Sequence, residues 1–112
     1  MLVKSEAKGK MFRIAINDIF FVEGMKNYVA FYTAHEMIMP LLNMKDIEQN
    51  LPDSKFVRVH KSFIVNLYKI QAIEGNQILL HGMKTNQKKI PIGSTYKEAF
   101  FQKIDRYIMG KR

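Results

Sequence analysis

The chain has 112 residues, room for one domain with one modest hydrophobic core. Lysine and arginine number 18 against 10 aspartates and glutamates, a formal charge of +8, which favours polyanionic partners: nucleic acid first, anionic membrane surfaces or acidic proteins next. Cysteine is absent, which excludes a disulfide scaffold, thiolate metal sites and thiol chemistry and fits a reducing cytosol.

Leu2 to Lys4 and Met11 to Ile16 read as two short strands around the turn Lys8-Gly9-Lys10, the second alternating through Phe12, Ile14 and Ile16. Asn17-Asp18 marks a bend. The apolar run Ile19-Phe20-Phe21-Val22 and the stretch Tyr28 to Thr33 pair as a hairpin, with Lys26 and Asn27 exposed at its tip beyond Gly24. After the turn Ala34-His35-Glu36, Met37 to Leu41 resumes as a strand. Asn43 is placed to cap a short helix that runs through Asn50 with Met44, Ile47 and Leu51 on one face, and Leu51-Pro52-Asp53-Ser54 stops it.

Phe56 to Val59 alternates as a strand, with Phe56 and Val57 apolar and Arg58 reaching solvent. His60-Lys61-Ser62 forms a corner, and the apolar run Phe63-Ile64-Val65 before Asn66 fits either a strand or a helical segment, since short apolar runs carry no decisive period. Ile70 to Glu74, Gln77 to His81 and Lys88 to Ile92 complete the strands, separated by Gly75-Asn76 and by Gly82 to Gln87. Many short strands with turns at this spacing predict an all-β core rather than βαβ units.

The tail changes period. Tyr96, Ala99, Phe100, Ile104, Tyr107 and Ile108 share one helical face, and Thr95 with Glu98 can form a capping box, so a C-terminal helix from about Thr95 to Met109 is expected to pack on the sheet. Phe101 sits off that stripe, marking either a wide apolar face or a contact with another domain or subunit. Its polar face carries Lys97, Lys103 and Arg106.

Several chemistries find no support. His35, His60 and His81 lack metal-ligand spacing, so neither a metal nor any other cofactor is implied. Ser62 lies near His60, yet there is no nucleophile elbow, no acid placed to orient an imidazole and no glycine-rich oxyanion loop. The carboxylates are scattered, and no phosphate-binding loop or dinucleotide fingerprint occurs. Catalysis is not expected. No apolar run approaches the roughly 20 residues that span a bilayer, and the start lacks the apolar region of a signal peptide, so a cytoplasmic protein without a membrane partner is expected.

Charge distribution points instead to binding. Between Glu74 and Glu98 there is no carboxylate, while Lys84, Lys88, Lys89 and Lys97 fall there. Arg58, Lys61 and Lys26 can neutralise phosphates, and Asn27, His60, Lys61 and Ser62 can donate or accept at base edges.

Four features in order resemble the LytTR family, the LytR/AlgR-type DNA-binding output domain of bacterial response regulators. They are Asp18-Ile-Phe-Phe-Val-Glu23 with Asn27-Tyr28; Leu51-Pro52; Phe56-Val-Arg-Val-His-Lys-Ser-Phe-Ile-Val-Asn66; and Ile90-Pro-Ile92 before a closing helix. The resemblance runs from about Val3 to Ile108. It implies an all-β fold of about ten short strands with a short central helix and a C-terminal helix. It further implies a single DNA-binding domain, the C-terminal output part of a larger response regulator whose receiver domain brings protomers together. Loops would enter successive major grooves of double-stranded promoter DNA at paired or repeated elements, as a homodimer on the DNA.

Matched by motif, the first DNA-contacting loop falls at Lys26 and Asn27, the second at His60-Lys61-Ser62 and the third at Gly93-Ser94-Thr95. Asn27 and Lys61 are expected on base edges, Arg58 and Ser62 on phosphate or in loop support, and Lys97 on phosphate. The third loop departs from the family, where many members carry Ser-Arg; here Ser94 and Thr95 stand without the bidentate guanine contact an arginine offers. Asn66 either touches DNA or braces a turn with its amide, and bracing is favoured because it follows the apolar run. Glu23 is read as loop support or a salt-bridge partner.

Two other readings stay open. An RNA or single-strand binder would need several of Phe20, Phe31, Tyr32 and Phe63 exposed together on a basic face. A protein-interaction domain would show an exposed cluster around Phe101 and Tyr107.

Overall fold

The computed structural model describes residues 2–4, 9–81 and 89–107. In chain order its strands are β1 (Leu2–Lys4), β2 (Met11–Arg13), β3 (Phe21–Gly24), β4 (Val29–Tyr32), β5 (Met37–Ile38), β6 (Phe56–His60), β7 (Phe63–Asn66), β8 (Ile70–Glu74), β9 (Gln77–Leu80) and β10 (Lys89–Pro91). Helix α1 (Met44–Asn50) lies between β5 and β6, and α2 (Lys97–Ile104) follows β10. Among the described residues the strands form three antiparallel sheets: β1-β2, β10-β9-β8, and a central five-stranded sheet ordered β5-β4-β3-β7-β6.

The run Phe63-Ile64-Val65 explains the layering. All three are buried, so β7 is a strand with no solvent face. The pleat sends Ile64 one way, with Val22 of β3, Val29 and Phe31 of β4, and Phe56 of β6; there Val3, Ile14, Ile19, Ile47 and Leu51 close the layer. It sends Phe63 and Val65 the other way, with Phe21 and Val59, against Ile78, Leu80, Ile90 and Ile92 of the smaller sheet region and Phe100 and Ile104 of α2. The domain therefore has two apolar layers on one sheet. A one-residue slip of β7 would exchange them.

Asn43 caps α1 as its type predicts: Oδ1 accepts the Asp46 N–H at 2.8 Å. Asn66 ends β7 with its side chain buried; its amide donates to the Ile19 carbonyl and accepts the Tyr68 N–H, each at 2.9 Å. That amide caps the 3-10 turn Leu67–Lys69. Asn66 is thus a brace. Pro91 sits in β10, an edge strand, where its missing N–H costs no ladder bond.

Several expectations change. β2 ends at Arg13, and Ile16–Asp18 is a 3-10 turn; β5 stops at Ile38 rather than Leu41. No capping box forms at α2. Tyr96 occupies the position before the helix with φ −104° and ψ −12°, and no side-chain cap bond is made there. The chain reaches α2 through a turn in which the Tyr96 N–H donates to the Gly93 carbonyl at 2.9 Å, so Thr95 is not where a cap would stand. The helix proper ends at Ile104 and continues as a 3-10 turn, Asp105–Tyr107. Ala99 and Tyr107, expected on the packed face, are exposed, while Phe101 is half-buried against the second apolar layer, which widens the stripe. Lys8 of the first turn, the turn Gly82 to Gln87 with Lys84, Lys88, and Ile108 and Met109 of the expected helix lie outside the described residues.

Candidate nucleic-acid interface

Three loops meet at one end of the central sheet. The β3–β4 hairpin places Lys26 and Asn27 at its tip, both exposed, and the Met25 N–H closes it on the Tyr28 carbonyl at 2.7 Å. The β6–β7 connection carries Lys61, exposed, and Ser62, half-buried. The segment from Gly93 to Tyr96 leads into α2, with Ser94, Thr95 and Lys97 exposed.

Backbone bonds join the three. The Gly24 N–H donates to the Ser62 carbonyl at 2.8 Å, and the Gly93 N–H to the Val59 carbonyl at 2.7 Å. Both glycines sit where a side chain has little room. A Cβ on Gly24 would lie 2.9 Å from Met44 Cγ, and one on Gly93 would lie 3.3 Å from Tyr96 Cδ2 and 3.4 Å from His60 Cδ2. Met44, the first residue of α1, thereby supports the hairpin tip, and Tyr96 links the third loop to the second.

The second loop is shaped from within. Nδ1 of His60 accepts the Ser62 N–H at 3.0 Å and its ring stands edge-on to Phe63, 5.6 Å between centroids. A neutral ring in that role carries its proton on Nε2. β6 shifts register between Arg58 and His60, a bulge that re-aims the chain just before the loop. Arg58 does not reach out to solvent as the alternation predicted. Its side chain is 20% exposed and folds onto neighbouring residues. It donates from Nε to the His60 carbonyl at 3.3 Å, from Nη2 to the Lys61 carbonyl and from Nη1 to Glu48 Oε1 at 3.0 Å, and its guanidinium lies 5.8 Å from the Tyr96 ring. Glu48 and Tyr96 were not legible as site residues, because nothing local in the sequence ties position 48 or 96 to position 58.

Electrostatics at this end follow from which charges are taken. Glu48 is paired with Arg58, and Glu23 receives the Tyr32 hydroxyl at 3.2 Å. Burial first, and the Glu23 carboxylate second, push the Tyr32 phenol above its ordinary value. Lys26, Lys61 and Lys97 are exposed around the loops. The aromatic residues that a stacking platform would need are in the core: Phe20, Phe31 and Phe63 are buried, and Tyr32 stacks on Phe21 at 4.3 Å. Among the described residues no group of three or more His, Asp or Glu side chains is placed to hold a metal ion. No helix among them is long and apolar enough to cross a membrane.

The family model for the LytTr DNA-binding domain matches residues 9–105. The chain belongs to the LytTR family. It is 29% identical over 107 residues to the sensory transduction protein LytT of Enterococcus faecalis, covering 90% of this chain and 44% of that protein. It is 32% identical over 103 residues to the transcriptional regulatory protein YpdB of Escherichia coli K12, covering 90% of this chain and 41% of that one. The LytTR chain thus spans less than half the length of these curated relatives. Its backbone superposes on a LytTr DNA-binding domain from Bacillus cereus with a TM-score of 0.75 at 22% identity, covering 92% of this chain and 95% of that one, which shows the same fold. The expected all-β architecture of about ten strands is the one observed.

Proposed function

We propose that this LytTR domain reads double-stranded promoter DNA sequence-specifically through its three joined loops and regulates transcription by occupancy, without chemistry of its own. The observation that carries the reading is the pair of backbone bonds, Gly24 to Ser62 and Gly93 to Val59, which join three polar loops, with Lys26 and Lys61 in two of them and Lys97 at the start of α2 after the third, as one surface on a doubly buried sheet. A rigid scaffold presenting loops is what precise base reading needs.

Within that surface, Asn27 and Lys61 approach base edges, Lys26 and Lys97 neutralise phosphate, and Ser94 and Thr95 supply the short polar contacts of the third loop. Ser62 and His60 hold the second loop in shape through their mutual hydrogen bond. The domain is the output part of a longer response regulator acting in the bacterial cytoplasm, and two protomers bind paired or repeated elements when their receiver domains associate.

The test is selection of bound sequences from a random duplex pool, followed by titration of the selected sequence against shuffled competitor at fixed salt. A reproducible motif, with discrimination lowered by Lys61→Ala, is expected. Equal binding to every duplex would leave a polycation and overturn the reading.

A further inference from the structure

Resting on that reading, the geometry points to Arg58 as a positioning residue rather than a DNA ligand: with Glu48 of α1 and Tyr96 before α2 it forms a brace that holds the second and third loops in their reading geometry. Nothing in the family resemblance separates loop support from phosphate contact for this arginine. The structure offers the means.

The guanidinium donors are committed in three directions at once. Nε and Nη2 take the consecutive carbonyls of His60 and Lys61, and Nη1 takes Glu48 Oε1 at 3.0 Å. The far side of the group lies near the Tyr96 ring, which itself is the neighbour that a side chain at Gly93 would strike. A planar fork can serve these partners together, and a lysine ammonium on a flexible stem cannot. The sign of the charges matters as well. Carbonyl oxygens without a donor on this loop would oppose an approaching phosphate, whereas the cationic donors of Arg58 on the His60 and Lys61 carbonyls offset that partial charge beside the exposed Lys61 side chain. When DNA covers the loop and removes water, those carbonyls keep their donor. Glu48 fixes the arginine and offsets its charge, so Arg58 adds little to the field at the surface.

Two readings of Arg58 give opposite results for one substitution. If Arg58 reaches a phosphate when DNA arrives, Glu48 competes with DNA, and Glu48→Gln tightens binding to every duplex. If Arg58 braces the loop, Glu48→Gln loosens the brace and lowers discrimination. The experiment measures binding of the selected duplex and of a shuffled duplex across a salt series for the native 112-residue chain, Glu48→Gln, Arg58→Lys and Arg58→Met. The expected result is a ratio of specific to non-specific affinity reduced about tenfold or more in both Arg58 variants, as for losing a charge-assisted bond, and reduced in the same direction by Glu48→Gln. The salt slope should stay that of the native chain in Arg58→Met. A slope shallower by about 0.9 in Arg58→Met, the signature of one lost phosphate contact, or tighter binding by Glu48→Gln, would overturn the brace. Arg58→Lys keeps the charge, so it separates lost geometry from lost charge should Arg58→Met fold poorly. A second readout is independent of DNA: the Arg58 Nε proton should exchange slowly with solvent in the free domain and faster in Glu48→Gln. Fast exchange in both would overturn the brace by itself, while a native chain that prefers no sequence would overturn the DNA-reading assignment and leave the brace to be judged on exchange.

Discussion

Replacing Asn66 by Ala removes two bonds at the end of β7 remote from the loops. The side chain is 2% exposed, and Ile19, whose carbonyl it serves, is fully buried. Leaving that carbonyl without its donor costs about 1–3 kcal/mol, and losing the cap on the Tyr68 N–H adds about 1 kcal/mol. A total of roughly 2–4 kcal/mol follows, a large share of the roughly 5–15 kcal/mol that holds a domain of this class together. Urea denaturation measures it: the midpoint should fall with the slope unchanged, while DNA affinity per folded molecule stays native. Asn66→Asp sharpens the test. A carboxylate there would face the Ile19 carbonyl in the core, so its pKa would be raised by burial and by that contact. An acid whose folded pKa is raised lowers stability as pH climbs above the unfolded value of about 3.9 and until the folded value is passed. Asn66→Asp should therefore be most stable at acid pH relative to the native chain, where the protonated group can donate to Ile19 as the amide does. A loss under about 1 kcal/mol in Asn66→Ala, or weakened DNA binding at native stability, would refute the reasoning and return Asn66 to the DNA surface.

Lys97→Ala should weaken binding to all duplexes alike and reduce the salt slope by about 0.9, whereas Lys61→Ala should also flatten the sequence preference; salt titrations on selected and shuffled duplexes distinguish the two. Gly24→Ala forces Met44 Cγ away from a 2.9 Å approach and should cost about 1–3 kcal/mol as overpacking; Met44→Ala in the same chain should recover part of that loss, read as a coupling in a double-mutant denaturation cycle. Asp53 accepts a bond from Lys103 at 2.9 Å, and that bond, then the lysine charge, hold its carboxyl below the ordinary value. A depressed carboxyl contributes stability above its unfolded pKa that fades as pH falls through the folded one, so Asp53→Asn should narrow the stability difference between neutral and strongly acid solution, as measured by thermal unfolding across that range.

Much of the architecture was legible because local pattern and long-range packing agree. Gly24 to Asn27 between two aromatic, β-branched runs makes the hairpin it predicts, and Asn43 caps α1 as its type and place suggest. Phe63-Ile64-Val65 was ambiguous in sequence because a strand buried on both faces has no period to read, and only the two layers around β7 resolve it. The start of α2 misled for a different reason. Thr95 and Glu98 have the spacing of a capping box, yet the Gly93 carbonyl draws in the Tyr96 N–H and makes Tyr96 the boundary residue. Arg58 misled for a third. Strand alternation sends position 58 away from Val57 and Val59, but a partner 10 residues away, Glu48, and a bulge next to it decide where the guanidinium goes. The places of the three loops between their strands were legible from the motif, while their joining by backbone N–H groups of Gly24 and Gly93 leaves no trace in side-chain identity.

β6 is the outermost strand of the central sheet on one side, and two of its carbonyls are engaged from outside the sheet. Lys103 Nζ sits 3.0 Å from the Phe56 carbonyl, and the Gly93 N–H takes that of Val59. Engaged acceptors make an edge strand a poorer template for a second chain. By covering part of that edge, one lysine of α2 and one backbone N–H of the third loop disfavour the growth of this sheet into that of a neighbouring copy.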